Sequence, residues 1–122
     1  MQTERKKLGD AGERHAAAFL ESRGYRILAR QAGIARVGEI DLVAYDPCGD
    51  IVFVEVKTRH DAKYGPPEEA ITAKKLQRMM RVAETWRVRN GMYDRPWRVD
   101  VIAIELTGVE PVIRHLQALR LE

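Results

Sequence analysis

Two runs of β-favouring residues, Gly38-Glu39-Ile40-Asp41-Leu42-Val43-Ala44-Tyr45 and Ile51-Val52-Phe53-Val54-Glu55-Val56-Lys57-Thr58, stand either side of Asp46-Pro47-Cys48-Gly49-Asp50. β-Branched and aromatic side chains suit a pleated surface, and Asp, Pro and Gly in the gap favour a chain reversal, so the segment predicts a β-hairpin. Pairing Tyr45 with Ile51 across the loop sets Asp41 opposite Glu55 and Glu39 opposite Lys57. Alternation puts Phe53, Glu55 and Lys57 on one face and Val52, Val54 and Val56 on the other, and groups Glu39, Asp41 and Val43 on one face of the partner strand.

Elements that could pack on this hairpin flank it. Leu8 to Arg23 reads as a helix stopped by Gly24, with Gly9, Gly12, Ala16 and Leu20 forming a narrow stripe of mostly small residues suited to close approach on a sheet, and Glu13 beside it. Tyr25 to Arg30 reads as a short strand followed by a turn at Gly33. After Pro66 and Pro67, Thr72 caps a helix predicted to run to about Arg89 and to end at Asn90-Gly91, burying Leu76, Met79, Ala83 and Trp86. Trp97 to Ile104 and Pro111 to Leu116 are two further strands, joined through the turn at Thr107-Gly108. The order is αβββαββ: an α/β chain with a mixed five-stranded sheet flanked by helices, in one domain over residues 1–122.

Composition narrows the function classes. No apolar run approaches the roughly 18 to 20 residues of a membrane span, and the N-terminus lacks the apolar region of a signal peptide, which predicts a cytoplasmic protein. One cysteine, Cys48, allows no internal disulfide, and His15, His60 and His115 have no zinc-motif spacing. The net charge of +3 is mild. Its distribution says more, because Thr72 to Gly91 carries Lys74, Lys75, Arg78, Arg81, Arg87 and Arg89 against Glu84 alone. Lys74, Arg78 and Arg81 recur at helical spacing, a face that could neutralise phosphates or simply be solvated.

Opposed carboxylates at Asp41 and Glu55 destabilise a bare hairpin, and a divalent cation is one natural compensation. Magnesium takes a few carboxylates and keeps several waters, one of which can attack a phosphodiester, while Lys57 could hold that water or meet negative charge growing on phosphorus oxygens. The competing reading is an exposed ladder of Glu39, Glu55 and Lys57, with Glu13 an ordinary helix-surface glutamate. Taken alone, these strands leave both readings open. Asp100 is read as a partner for Arg98 or a sheet-end acceptor in preference to a further ligand, and Trp86 and Trp97 as core residues.

Longer motifs add a resemblance. Gly12-Glu13, the segment Gly38 to Ala44, Val52 to Arg59, Tyr64 to Ile71, Lys74-Lys75 and Val99 to Ile104 are similar, in that order and over nearly the whole chain, to the YraN-like uncharacterised protein family. That family resembles archaeal Holliday-junction resolvases and the PD-(D/E)xK nuclease superfamily, which implies a restriction-endonuclease-like fold. The resemblance implies that Asp41 and Glu55 bind Mg2+ or Mn2+, that Lys57 assists the nucleophile, and that Glu13 supports the metal or its water. It also implies DNA as substrate, branched DNA included, and, by analogy with resolvases, a homodimer; the nucleic-acid contacts expected are the basic residues Arg59, Lys74, Lys75 and Arg78. Ile40 replaces the proline of the motif, and Gln31-Ala32-Gly33 departs from the Asn- and Arg-containing segment usual there. The function expected is a metal-dependent endonuclease. The alternative is a non-catalytic nucleic-acid-binding or partner-recruiting module on the same fold.

Overall fold

The structure is a computed structural model describing residues 3–61, 63 and 65–120. Tyr64, in one of the motifs above, lies outside the described residues.

Helix α1 (Glu4–Ser22) begins four residues earlier than the sequence pattern predicts, because Thr3 Oγ1 caps it by accepting from Lys6 N at 3.1 Å. Gly24, at φ +86°, ends it as expected. Strand β1 (Arg26–Ile34) is longer than predicted. Gly33 lies within it, paired with Glu39, and the reversal falls at residues 35–37 instead. β2 (Gly38–Tyr45) and β3 (Ile51–Arg59) form the expected hairpin, with Tyr45 opposite Ile51. A 3-10 turn at Pro67–Ala70, which the sequence pattern does not reveal, leads into α2 (Ala73–Arg89), capped by Thr72 Oγ1 accepting from Lys75 N at 3.1 Å. β4 (Trp97–Glu105) and β5 (Val112–Leu116) complete a sheet of order β1-β2-β3-β4-β5. Only β3 and β4 run parallel, joined by the crossover through α2; the other neighbours are antiparallel.

The sheet separates two apolar layers. On one face Ala16, Ala17 and Leu20 of α1 pack on Leu42, Val52, Val54, Ile102 and Ile104. On the other, Leu76, Met79, Val82 and Ala83 of α2 pack on Ile40, Val43, Ile51, Phe53 and Val99. Each fully buried side chain of this size contributes about 1.5 to 3 kcal/mol. Trp86 and Trp97, half-buried, meet Phe53 edge-on with ring centroids 5.7 and 5.9 Å away, which fits their reading as core residues. Gly12 supplies the closest approach of α1 to the sheet, since a Cβ built there would overlap Thr58 Oγ1. Gly9, expected in the same stripe, is exposed and touches nothing that a Cβ would meet. No helix among the described residues is long and apolar enough to cross a membrane.

Candidate active site

Strands β2 and β3 pair from Tyr45↔Ile51 to Leu42↔Val54, and the pairing stops there. One residue further on, the Asp41 side chain takes the place of the missing strand partner: its Oδ2 accepts from Val56 N at 2.8 Å. β3 meanwhile continues unbroken along β4 as far as Arg59↔Glu105. The expected register is therefore right as far as Leu42↔Val54 but ends there, so neither Asp41 and Glu55 nor Glu39 and Lys57 form a cross-strand pair. Glu39 instead lies on the β1 side, exposed and opposite Gly33.

The facing of Asp41 also differs from strict alternation. Ile40 and Val43 belong to the α2-side core, whereas Leu42 belongs to the α1-side core, so the inside-outside alternation slips by one at Asp41. The neighbouring strand slips at the matching place. Ala29 and Ala32 both pack toward α2, and between them Gln31 holds a left-handed φ of +49° and drops out of the pairing. The two slips turn Asp41 and Gln31 toward Glu13 of α1. Gln31 Nε2 donates to Glu13 Oε2 at 3.3 Å, and Glu13 shares a hydrogen bond with Asp41, which shares another with Glu55 of β3.

A carboxyl chain Glu13, Asp41, Glu55 thus sits in the fork where β2 leaves β3. Burial first, and then the neighbouring Glu55, push the Asp41 carboxyl up from 3.8 to about 8. Burial and then Asp41 push Glu13 up from 4.5 to about 7. Lys57 follows Glu55 by two residues on a strand whose alternation is unbroken, which keeps it half-buried on the same face. Gly12, seated on Thr58, fixes the height of Glu13 above the sheet.

Among the described residues no three His, Cys, Asp or Glu side chains form a ready-made metal cage. Hard oxygen donors in a cluster, two of them raised by burial and by a neighbouring carboxyl, fit an ion that takes few protein ligands and keeps its waters. Asp41 and Glu55, with Glu13 beside them, are the residues that could hold it.

The basic residues expected to touch nucleic acid do not contact these carboxyls. Arg59 ends β3, half-buried, with its Nη1 donating to Thr58 O at 3.4 Å and its Nε buried without a partner. Lys74, Lys75 and Arg78 are exposed along the first two turns of α2.

Asp100 belongs to a different cluster, toward the other end of the sheet. Fully buried, it accepts from Arg98 Nε at 3.1 Å, His115 Nε2 at 2.7 Å and Ala118 N at 2.9 Å. Arg98 also donates to Asp46 Oδ2 at 2.6 Å and to the Tyr25 hydroxyl at 2.9 Å. A carboxylate this well supplied with donors is structural, in line with its preferred sequence reading. Gln31 is the site residue that sequence reasoning missed. Nothing in the hydrophobic pattern marks a left-handed residue in mid-strand, and its stretch is where the motif match is weakest.

Comparison with known proteins bears on the whole of this arrangement. The model of the uncharacterised protein family UPF0102 matches residues 12–104, which run from the glycine beside Glu13 to the end of the buried run of β4. The chain belongs to UPF0102. A UPF0102 protein of Symbiobacterium thermophilum is 49% identical over 100 residues, covering 82% of this chain and 83% of the relative. One of Trichlorobacter lovleyi is 44% identical over 110 residues, 89% of this chain and 86% of the relative. One of Herpetosiphon aurantiacus is 38% identical over 126 residues and matches end to end, 100% of both chains. The UPF0102 match spans every residue of the carboxyl fork, together with Lys57 and the basic half of α2.

Proposed function

We propose that this UPF0102 protein is a metal-dependent endonuclease that hydrolyses phosphodiester bonds in DNA, branched DNA among its substrates, with Mg2+ or Mn2+. The observation carrying the reading is the carboxyl fork: burial and then Asp41 push Glu13 from its ordinary 4.5 up to about 7, and burial and then Glu55 push Asp41 from 3.8 up to about 8. Such a cluster is costly to a fold when it has no cation to serve.

In this reading Asp41 and Glu55 hold the ion from two strands, and Glu13 supports it from α1. The bound ion supplies positive charge and lowers the pKa of a coordinated water. The protein's own contributions follow from its geometry. The Val56 N–H fixes the Asp41 carboxylate at 2.8 Å, Gln31 orients Glu13, and Lys57 presents an ammonium beside Glu55 where a phosphodiester oxygen gains negative charge.

Cleavage of branched, duplex and single-stranded DNA by the purified protein with Mg2+ or Mn2+ tests the proposal. Asp41→Ala and Lys57→Ala are each expected to abolish cleavage while circular dichroism and thermal melting report a folded chain. Cleavage of none of these substrates by the wild type, or full activity in either variant, overturns it. Salt-dependent DNA binding without metal binding in calorimetry would instead support the non-catalytic module.

A further inference from the structure

Two groups among the cations of this chain contrast. Arg98 and Arg114 are each clamped by a pair of carboxylates, Asp46 with Asp100 and Glu68 with Glu105. Lys74, Lys75, Arg78 and Arg81 of α2, and Arg36 at the tip of the β1–β2 hairpin, are exposed and have no acidic partner among the described residues. The second set clusters in space. α2 starts beyond the C-terminal end of β3, the hairpin tip stands at the N-terminal end of the antiparallel β2, and these are the same end of the sheet, the end toward which the carboxyl fork opens.

Two features fix the cations there. Arg78 lays its aliphatic stem on Gly38, where a Cβ would stand 3.0 Å from Arg78 Cδ and 3.1 Å from Cγ, so the bare glycine is the seat of the arginine. Arg36 is pinned by its neighbours. Ile34 and Val37 insert into the α2-side core on either side of it, Val37 N donates to Ile34 O at 3.0 Å, and Arg36 itself holds φ +66°. The backbone that carries Arg36 is thus held on a closed tip, with the side chain exposed. Lys74 to Arg81 spans about 10 Å of helix, which measured along a duplex axis is about three phosphates of one strand at about 3.4 Å of axial rise each.

A row of cations on a helix and a closed hairpin tip suits the regular backbone of a duplex. Single strands are gripped by aromatic stacking as well as by charge. Among the described residues the large exposed aromatic is Tyr93, beyond the far end of α2, and neither the hairpin tip at 35–37 nor the first half of α2 carries an aromatic. We infer that the first half of α2 and the β1–β2 hairpin tip form a docking face for the phosphate backbone of duplex DNA, with Arg36 and Arg78 as its paired anchors. The inference takes the identity of the polymer from the nuclease reading and extends it to the form of DNA and to the hairpin.

Binding measured in EDTA keeps this face separate from metal chemistry. Fluorescence anisotropy with a duplex of mixed sequence and with one of its strands, across 50 to 200 mM salt, is the experiment. Each lost phosphate contact lowers the slope of log K against log salt by about 0.9, so the gap between wild type and Arg36→Ala/Arg78→Ala is expected to widen about twelvefold from 200 to 50 mM. Arg36→Lys/Arg78→Lys is expected to keep most of the slope, and Arg89→Ala, at the far end of α2, all of it. Equal slopes for wild type and the double alanine variant, equal affinity for the single strand, or no duplex binding by the wild type each overturn the inference. Cleavage with Mn2+ distinguishes the two readings: slope losses as expected without any cleavage sink the nuclease alone, while a silent double variant with cleavage intact sinks the docking face alone.

Discussion

Replacing Asp41 by asparagine is expected to stabilise the metal-free protein at neutral pH while abolishing its proposed activity. The folded state holds the Asp41 proton up to about 8, against an ordinary 3.8. Below about pH 4 both the folded and unfolded states are protonated and the group imposes no penalty. As pH rises from there the unfolded chain releases its proton and the folded chain keeps it, so stability falls until about pH 8 and then levels off. At about 1.36 kcal/mol per unit, the penalty at pH 7 is ~4 kcal/mol. Partial solvent contact at the fork and the amide's own hydrogen-bonding needs reduce what substitution recovers. The amide oxygen can still accept from Val56 N, and its NH2 can donate to Glu13 or Glu55 where two carboxyls now repel.

The expected gain is therefore about 2 to 3 kcal/mol at pH 7 to 8, or about 6 to 12 °C in Tm for a domain of this size. Thermal melts in EDTA at pH 5 and pH 8 measure it. Wild type should lose stability between the two, and Asp41→Asn should lose less, the slope that remains coming from the buried Glu13 carboxyl. Mn2+ added at pH 8 should raise the Tm of wild type and leave the variant unmoved. A flat wild-type profile, or a variant no more stable than wild type at pH 8, would mean that the fork carries no stored repulsion, and the argument for a cation there would collapse.

Three further outcomes test the parts that position the fork. Gly12→Ala drives a methyl into Thr58 Oγ1; overpacking of about 1 to 3 kcal/mol should exceed the roughly 1 kcal/mol that alanine gains in a helix, and urea unfolding of Gly12→Ala with and without Thr58→Ala should show partial rescue. Asp100→Ala leaves Arg98 and His115 without their buried acceptor and should cost about 3 to 5 kcal/mol in the same assay, while Mn2+ affinity per folded molecule stays at the wild-type value. Gln31→Asn keeps an amide at a left-handed position that asparagine tolerates better, so its Tm should equal or exceed that of wild type by up to about 1 kcal/mol in stability terms, whereas Gln31→Leu should weaken Mn2+ binding in calorimetry by freeing Glu13.

Local patterns determined much of this protein. The Asp46 to Asp50 reversal and the β-branched runs beside it fixed the β2–β3 hairpin and its register, because pairing across a short loop is set by the loop itself. Thr72 and the apolar spacing Leu76, Met79, Ala83 gave α2, and the ordered motifs gave the family. Other features depend on contacts remote in sequence. Where the β2–β3 pairing ends is decided by β4, which keeps β3 straight while β2 follows β1 away from it, and no residue in the hairpin records that divergence. The face on which Asp41 lies depends on slips in two strands at once, one of them at Gln31 with φ +49°, and alternation read along a single strand cannot foresee either. Gly12 reads as one more small residue in a helical stripe until Thr58 stands against it. The sequence supplied the carboxyl residues, whereas tertiary packing brought Glu13, Asp41 and Glu55 together, since like charges assemble only where a rigid frame holds them.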